Sequence, residues 1–271
     1  MPPPELRPEI AEYYTDRYDE SARLTASQLG RLEFERTRDL LLRNLPPAPA
    51  SVLDIGGGPG VHAEWLAAAG YEVTLLDPVA LHREQAAARG GFAVRDGDAR
   101  ALTEHADDSY DAVLLLGPLY HLVERTERIR AIAEARRVAR PGAPVAAAAI
   151  SRHAPLLDVA SAGKLDEDLE PFLLQTKATG VNNPTTGFTI AFFHTVDELR
   201  DEFAAAGFPP GGEPPGATVY GIEGPVWPLL RSGLAAGRED LFACAVRAAR
   251  LAETDPALLA VNSHLLAVAY K

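Results

Sequence analysis

Between residues 51 and 150, short apolar runs alternate with stretches in which apolar side chains return every three or four positions. The runs at about 51–55, 72–76, 92–95, 111–116 and 144–150 have strand length. The intervening stretches, about 61–69, 80–89 and 126–139, have helical spacing. Strand and helix in steady alternation predict a parallel sheet with helices on both faces. Ahead of this unit, residues 9–45 read as two amphipathic helices. Leu29, Leu32, Arg36, Leu40 and Leu41 keep helical spacing until Pro46, Pro47 and Pro49 end the run. Beyond residue 150 the alternation breaks. Residues 152–177 look helical, and Asp166–Glu170 reads as a solvated helix start. A loop rich in Gly, Asn, Thr and Pro covers 179–187. Thr195 and Glu198 have the spacing of a capping box and open a helix that runs to Ala206 and Gly207. A strand at 217–222, a mostly helical segment at 226–260 and a last strand at 264–270 complete the pattern.

This pattern divides the chain into an N-terminal helical lid, 1–45, and a main domain, 46–271, with inserts at about 152–194 and 223–262. Both inserts leave from the carboxyl ends of strands, where ligands sit in an open parallel sheet. With residues 9–30 they are expected to roof a ligand site, because long excursions on that face are usually functional.

The turn after the first strand narrows the chemistry. Residues 52–60 read Val-Leu-Asp-Ile-Gly-Gly-Gly-Pro-Gly and lead into a helix from His62. Gly56, Gly58 and Gly60 leave no side chain where a ligand must approach backbone, and a helix N-terminus attracts an anionic group. The spacing is not that of a dinucleotide site, whose third glycine would fall at Val61. Asp54, an acceptor-only carboxylate beside the turn, would repel a pyrophosphate and suits a ligand carrying an ammonium group.

Asp54-x-Gly56-x-Gly58-x-Gly60 resembles motif I of the class I S-adenosylmethionine-dependent methyltransferases. Further matches follow in order: Val73–Asp77, a strand ending in an acid; Asp96-Gly-Asp98-Ala99; Tyr110–Gly117; and Val138–Gly142 before the fifth strand. The resemblance covers about 50–151. It implies a Rossmann-like, seven-stranded, doubly wound α/β sheet with six parallel strands, an antiparallel last strand and a helical cap. It also implies S-adenosylmethionine as cofactor, with Asp54 near its amino-acid end, Asp77 on the ribose, Asp98 and Ala99 at adenine, and Leu116 in the pocket wall. Tyr13, Tyr14 and Tyr18 with Arg23 resemble the lid of small-molecule methyltransferases, in which an aromatic covers the cofactor and an arginine pairs with its carboxylate. Arg23, Arg31 and Arg36 all remain open for that role.

For methyl transfer the protein needs alignment and, for an O–H or N–H acceptor, a base. His121, leaving the fourth strand in Gly-Pro-Leu-Tyr-His, is the candidate base or else lines the pocket. Tyr120, Phe193 and His194 are expected to face the acceptor. Phe172, Phe188, Phe192, Phe193 and Trp227 suggest an apolar roof. His62 and His82 open helices after glycine or proline turns; such histidines are more often surface residues than cofactor contacts, and both readings stay open. No metal is expected, since the loop after strand four has no carboxylate before Glu124, whereas catechol-type relatives place acids there. That position also lacks the Asn/Asp-Pro-Pro-Tyr signature of amino-directed DNA methylases.

Composition removes other classes. A net charge of −12 argues against a nucleic-acid partner. No apolar run approaches a membrane span, and the opening Met-Pro-Pro-Pro lacks the pattern of a signal peptide, so a cytoplasmic protein with a proline-stiffened tail is expected. Cys244, the one cysteine, reads as a small core residue. The expected function is methyl transfer to O or N, less readily C, of a small molecule, natural products being one such class. The alternative is an S-adenosylmethionine-binding cyclase or sensor of the same fold; a nicotinamide oxidoreductase would require a different glycine pattern. Neither the acceptor nor the oligomeric state follows from the residues.

Overall fold

Seven strands in the order β3-β2-β1-β4-β5-β9-β8 form the central sheet of the computed structural model, which describes residues 6–182, 188–209 and 216–271. They are β1 (Ser51–Ile55), β2 (Glu72–Leu76), β3 (Ala93–Arg95), β4 (Ala112–Leu115), β5 (Pro144–Ile150), β8 (Thr218–Gly221) and β9 (His264–Tyr270). β9 pairs antiparallel with both β5 and β8 and fits between them, so the other six strands run parallel. The remaining pair, β6 (Val181–Asn182) and β7 (Ala191–Phe192), forms a short antiparallel ribbon inside the first insert. Periodicity could not reveal it, because two-residue strands carry no readable alternation. The proline-rich start, 1–5, and the loop segment 183–187 lie outside the described residues.

The sheet is buried on both faces, and alternate residues divide between them. Val145, Ala147 and Ala149 of β5 join one core with Leu53, Ile55, Val113 and Leu115. Its helices are α6 (Arg125–Val138) and α9 (Val196–Ala205), which supply Ile132, Ala135, Leu199 and Phe203. Ala146 and Ala148 turn to the other core with Val52, Leu114 and Leu266. There α2 (Gln28–Asn44) and α3 (Val61–Ala68) bring Leu40, Leu41, Trp65 and Leu66. Each fully buried aliphatic contributes roughly 1.5–3 kcal/mol. α4 (Ala80–Arg89) follows β2, and α5 (Pro118–His121) is a single turn after β4.

The two inserts pack in ways that the pattern did not foresee. Residues 152–177 split into α7 (Ala154–Ser161) and α8 (Glu170–Thr179). The second insert holds α10 (Trp227–Arg231) and α11 (Glu239–Ala252). These two pack Trp227, Leu230, Phe242 and Ala245 against Leu32 of α2, forming a separate core. Trp227 is fully buried and donates from Nε1 to the Val261 carbonyl at 2.8 Å. Arg36, also fully buried, bonds Glu253 and the Ile222 carbonyl. Cys244 is exposed rather than in the core, because α11 turns its Phe242, Ala245 and Ala249 side inward.

The N-terminal segment consists of α1 (Pro8–Glu12), a π turn over Tyr13–Arg17 and a 3-10 turn over Glu20–Ala22. Ile10 and Tyr14 bury against Val79, with Leu6, Tyr13, Leu81 and Ile190 at the margin. This segment therefore lies across the loop that follows β2.

Candidate active site

One cavity opens at the carboxyl edge of β1, β2 and β4 beneath the N-terminal segment. Asp54, Gly56 and Gly58 line it from the first turn, Asp77, Val79 and His82 from the second, and Asp98, Ala99 and Arg100 from the third. Leu116, Tyr120 and His121 line it from beyond β4. Ile10, Tyr14, Glu20, Arg23 and Glu33 complete the wall from the lid and α2, and His264 from β9. Residues far apart in sequence thus meet because parallel strands end side by side.

The first turn is shaped for a ligand in contact with backbone. At Gly58 (φ 56°) an added Cβ would meet nothing closer than 3.9 Å, so the glycine leaves an open cradle. Gly60, expected to touch the ligand, does not line the cavity. It starts α3 at φ 83°, where a Cβ would stand 2.7 Å from the Phe92 ring. Its role is close packing.

Beneath the turn, Asp54 is buried and neither carboxylate oxygen has a hydrogen-bond partner. Burial, with Asp77 adding repulsion, raises its pKa to about 7. A buried acid in this state favours a cation beside it. Asp77 is better satisfied: its oxygens accept from the N–H of Gly58 and of Val79, each at 2.9 Å. His82 brings Nδ1 to 3.3 Å from the same carboxylate while its buried Nε2 has no partner. Asp98 accepts two bonds from the Arg100 guanidinium, at 2.9 and 2.8 Å, and Arg100 also reaches Glu127 at 2.6 Å.

An aromatic group closes the middle of the cavity. Tyr14 Oη lies 2.8 Å from His121 Nε2, and the Tyr14 ring meets His82 at 5.0 Å between centroids. His121 Nδ1 is buried without a partner. Burial, assisted by His82, lowers the His121 pKa to about 3, so the imidazole is neutral near pH 7. Phe188 packs 6.1 Å from the His121 ring, behind the lid.

Of the three candidate arginines, only Arg23 lines the cavity. Arg31 pairs with Glu35 and Glu239 on the surface, and Arg36 is sealed under the second insert. Arg23 donates to Glu20 and Glu33, each at 2.6 Å. Glu33, Glu223 and His264 offer donor atoms within 4.8 Å of one another, the one such group among the described residues. Arg23 on Glu33 and a 2.5 Å contact between His264 and Glu223 already engage those atoms, which marks a chain of charges more than a metal seat.

Two expected acceptor residues fall elsewhere. His194 is fully buried, with Nε2 3.2 Å from Glu202, and its backbone bridges to Ser151. Phe193 is buried and stacks on Phe188 at 6.4 Å, one layer behind the cavity wall. Phe192 is held under the Arg128 guanidinium at 3.6 Å. The end of the first insert is thus occupied by the Arg128–Glu202–His194 cluster. The second insert covers the outer side of α2. Neither insert lines the main cavity among the described residues; the roof is the N-terminal segment, backed by Phe188 and Ile190. Glu33, Arg100, Glu127 and His264 line the cavity without having been singled out in the sequence, since no spacing links them to the glycine turn.

The family model described as "Methyltransferase domain" matches residues 52–142. Curated proteins give no match. Solved structures are similar in fold at low identity. A SAM-dependent methyltransferase from Methanosarcina mazei is 20% identical, with a TM-score of 0.56 over 86% of this chain and 96% of that one. A possible histamine N-methyltransferase from Thermotoga maritima is 18% identical, with a TM-score of 0.57 over 90% of this chain and 91% of that one. The [4+2]-cyclase SpnF is 17% identical, with a TM-score of 0.54 over 88% of this chain and 80% of that one. No helix among the described residues is long and apolar enough to cross a membrane. The matched stretch lies on the strands and turns that build most of the cavity, and the chain as a whole has the fold that these methyltransferase structures share.

Proposed function

We propose that the protein transfers the methyl group of S-adenosylmethionine to an oxygen or nitrogen of a small-molecule acceptor. The observation that carries this reading is the unpartnered Asp54 carboxylate under an open glycine turn, continuous with Asp77 and Asp98. The fit is chemical. Asp54 suits the positive amino-acid end of the cofactor, and Arg23 its carboxylate. Asp77 retains lone pairs for ribose hydroxyls, and Asp98 with Ala99 closes the adenine end. When bound, the cofactor supplies an activated methyl group on a sulfonium.

The chain's own work is then to bind, align and exclude water. Tyr14 and His121 close the middle of the cavity, and holding two reactants in line can supply about 7–11 kcal/mol of a barrier. A useful base has a pKa near the working pH, and burial holds His121 well below it. His121 therefore serves chiefly as a neutral polar group that orients the acceptor, with Tyr14 on Nε2 and Nδ1 left free. His121→Ala is expected to lower kcat by about tenfold or less. A fall of 10²–10⁴, the usual range for acid–base catalysis, would restore it as the base.

The test is transfer of a labelled methyl group to a panel of hydroxyl and amine acceptors. Binding of S-adenosylhomocysteine without any transfer would favour the non-methylating reading. Stabilisation by NAD and not by S-adenosylhomocysteine would refute both. Turnover is expected to survive EDTA, and loss restored by Mg²⁺ would contradict the metal-independent route.

A further inference from the structure

Four elements contribute charges to one end of the cavity, and they form a chain. Arg23, on the lid, donates from Nη1 to Glu33 Oε2 of α2 at 2.6 Å. That oxygen lies 3.8 Å from His264 Nδ1 at the start of β9. The same nitrogen lies 2.5 Å from Oε1 of Glu223, just beyond β8. Glu223 is fully buried, and its second oxygen accepts from the His264 backbone N–H at 2.9 Å. Two acids so close would repel each other without a cation between them. Burial alone would depress His264, yet Glu33 and Glu223 outweigh it and hold the imidazole protonated to about pH 9. The lid is brought to this chain by a close approach to α2. A Cβ added at Gly30 would stand 2.3 Å from the Arg23 carbonyl oxygen.

We propose that His264, backed by Glu223, is a positioning residue for the lid arginine, fixing through Glu33 the guanidinium that meets the cofactor's carboxylate. This rests on the reading of the cavity as an S-adenosylmethionine site. Nε and Nη1 of Arg23 are committed to Glu20 and Glu33, which leaves Nη2 for a ligand. A guanidinium is useful here only if its plane is fixed, because bidentate and in-plane bonds depend on that geometry. Glu33 can fix it only while Glu33 itself is held, and His264 is the group that holds it against Glu223.

The experiment is a double-mutant cycle read by calorimetry with S-adenosylhomocysteine on the full chain. His264→Asn is expected to weaken binding about tenfold in the wild-type background and less than twofold when Arg23→Ala is already present. Coupling of that kind is what a shared network produces, whereas general damage to the fold would weaken both backgrounds alike. Where His264→Asn does not fold, Glu223→Gln, which keeps the shape, takes its place in the same cycle. Equal losses in the two backgrounds, or no loss in either, would overturn the proposal. A wild-type protein that fails to bind S-adenosylhomocysteine would instead overturn the cofactor reading on which the proposal stands.

Discussion

A carboxylate without a partner on either oxygen is costly to bury, and Asp54 is such a group. Its pKa rises to about 7 in the folded protein, above its value of roughly 3.9 in an unfolded chain. The folded state therefore binds the proton more tightly, and stability falls as pH rises from about 4 to 7, then levels. At about 1.4 kcal/mol per pKa unit, the penalty above pH 7 is on the order of 4 kcal/mol. Asp54→Asn is expected to raise the melting temperature of the ligand-free protein at pH 8 by several degrees while weakening S-adenosylhomocysteine at least tenfold. In the wild type, affinity is expected to increase through pH 7 as Asp54 ionises. A pH-independent affinity, measured by calorimetry from pH 5.5 to 8.5, would remove Asp54 from the binding site. Asp77 acts differently because it is already engaged by two backbone N–H groups. Asp77→Ala is expected to cost about 2–3 kcal/mol of S-adenosylhomocysteine binding, since bonds to charged acceptors are the strong ones. Unchanged affinity would dismiss the ribose assignment.

At the scale of elements, the lid and the second insert have separate tasks. Tyr14 ties the lid to the turn after β4 through His121, a bond worth about 0.5–1.5 kcal/mol. Tyr14→Phe is expected to speed S-adenosylhomocysteine dissociation several-fold, as followed by stopped-flow fluorescence; an unchanged rate would mean that packing alone holds the lid. The second insert, in contrast, is a brace for α2. Removing fully buried Trp227 with Trp227→Ala should lower stability by about 3–5 kcal/mol and leave ligand affinity within twofold. A large loss of affinity in the folded variant would return this insert to the roof. The sheet elements were legible because buried strands and amphipathic helices impose period and length on the chain. Predicted and observed limits coincide for 51–55, 144–150 and 264–270. Where the inserts lie was not legible. Both do leave from strand ends on the cavity side, but the direction of a long excursion depends on tertiary partners such as Leu32 for Trp227 and Glu202 for His194. Asp54, Asp77 and Asp98 could be picked out because each sits near the carboxyl end of a successive strand. Glu33 and His264 could not, because their meeting depends on the order of strands in space.

That order has a consequence for the whole molecule. β9 is the last strand in sequence but lies between β5 and β8, and it supplies both of their antiparallel partners. During synthesis, β8 therefore has no sheet neighbour until residues 264–270 have left the ribosome, and the exposed edge of β5 waits with it. The first five strands can pair as they emerge, whereas the last step is an insertion between β5, which ends at residue 150, and β8, which begins at residue 218, slow by the general link between contact separation and rate. Until it occurs, two unpaired edges are open to other chains. Because His264 begins that strand, the cavity wall is completed in the same event that closes the sheet. A nascent chain of this protein would thus be unable to hold its ligand fully before its architecture is finished.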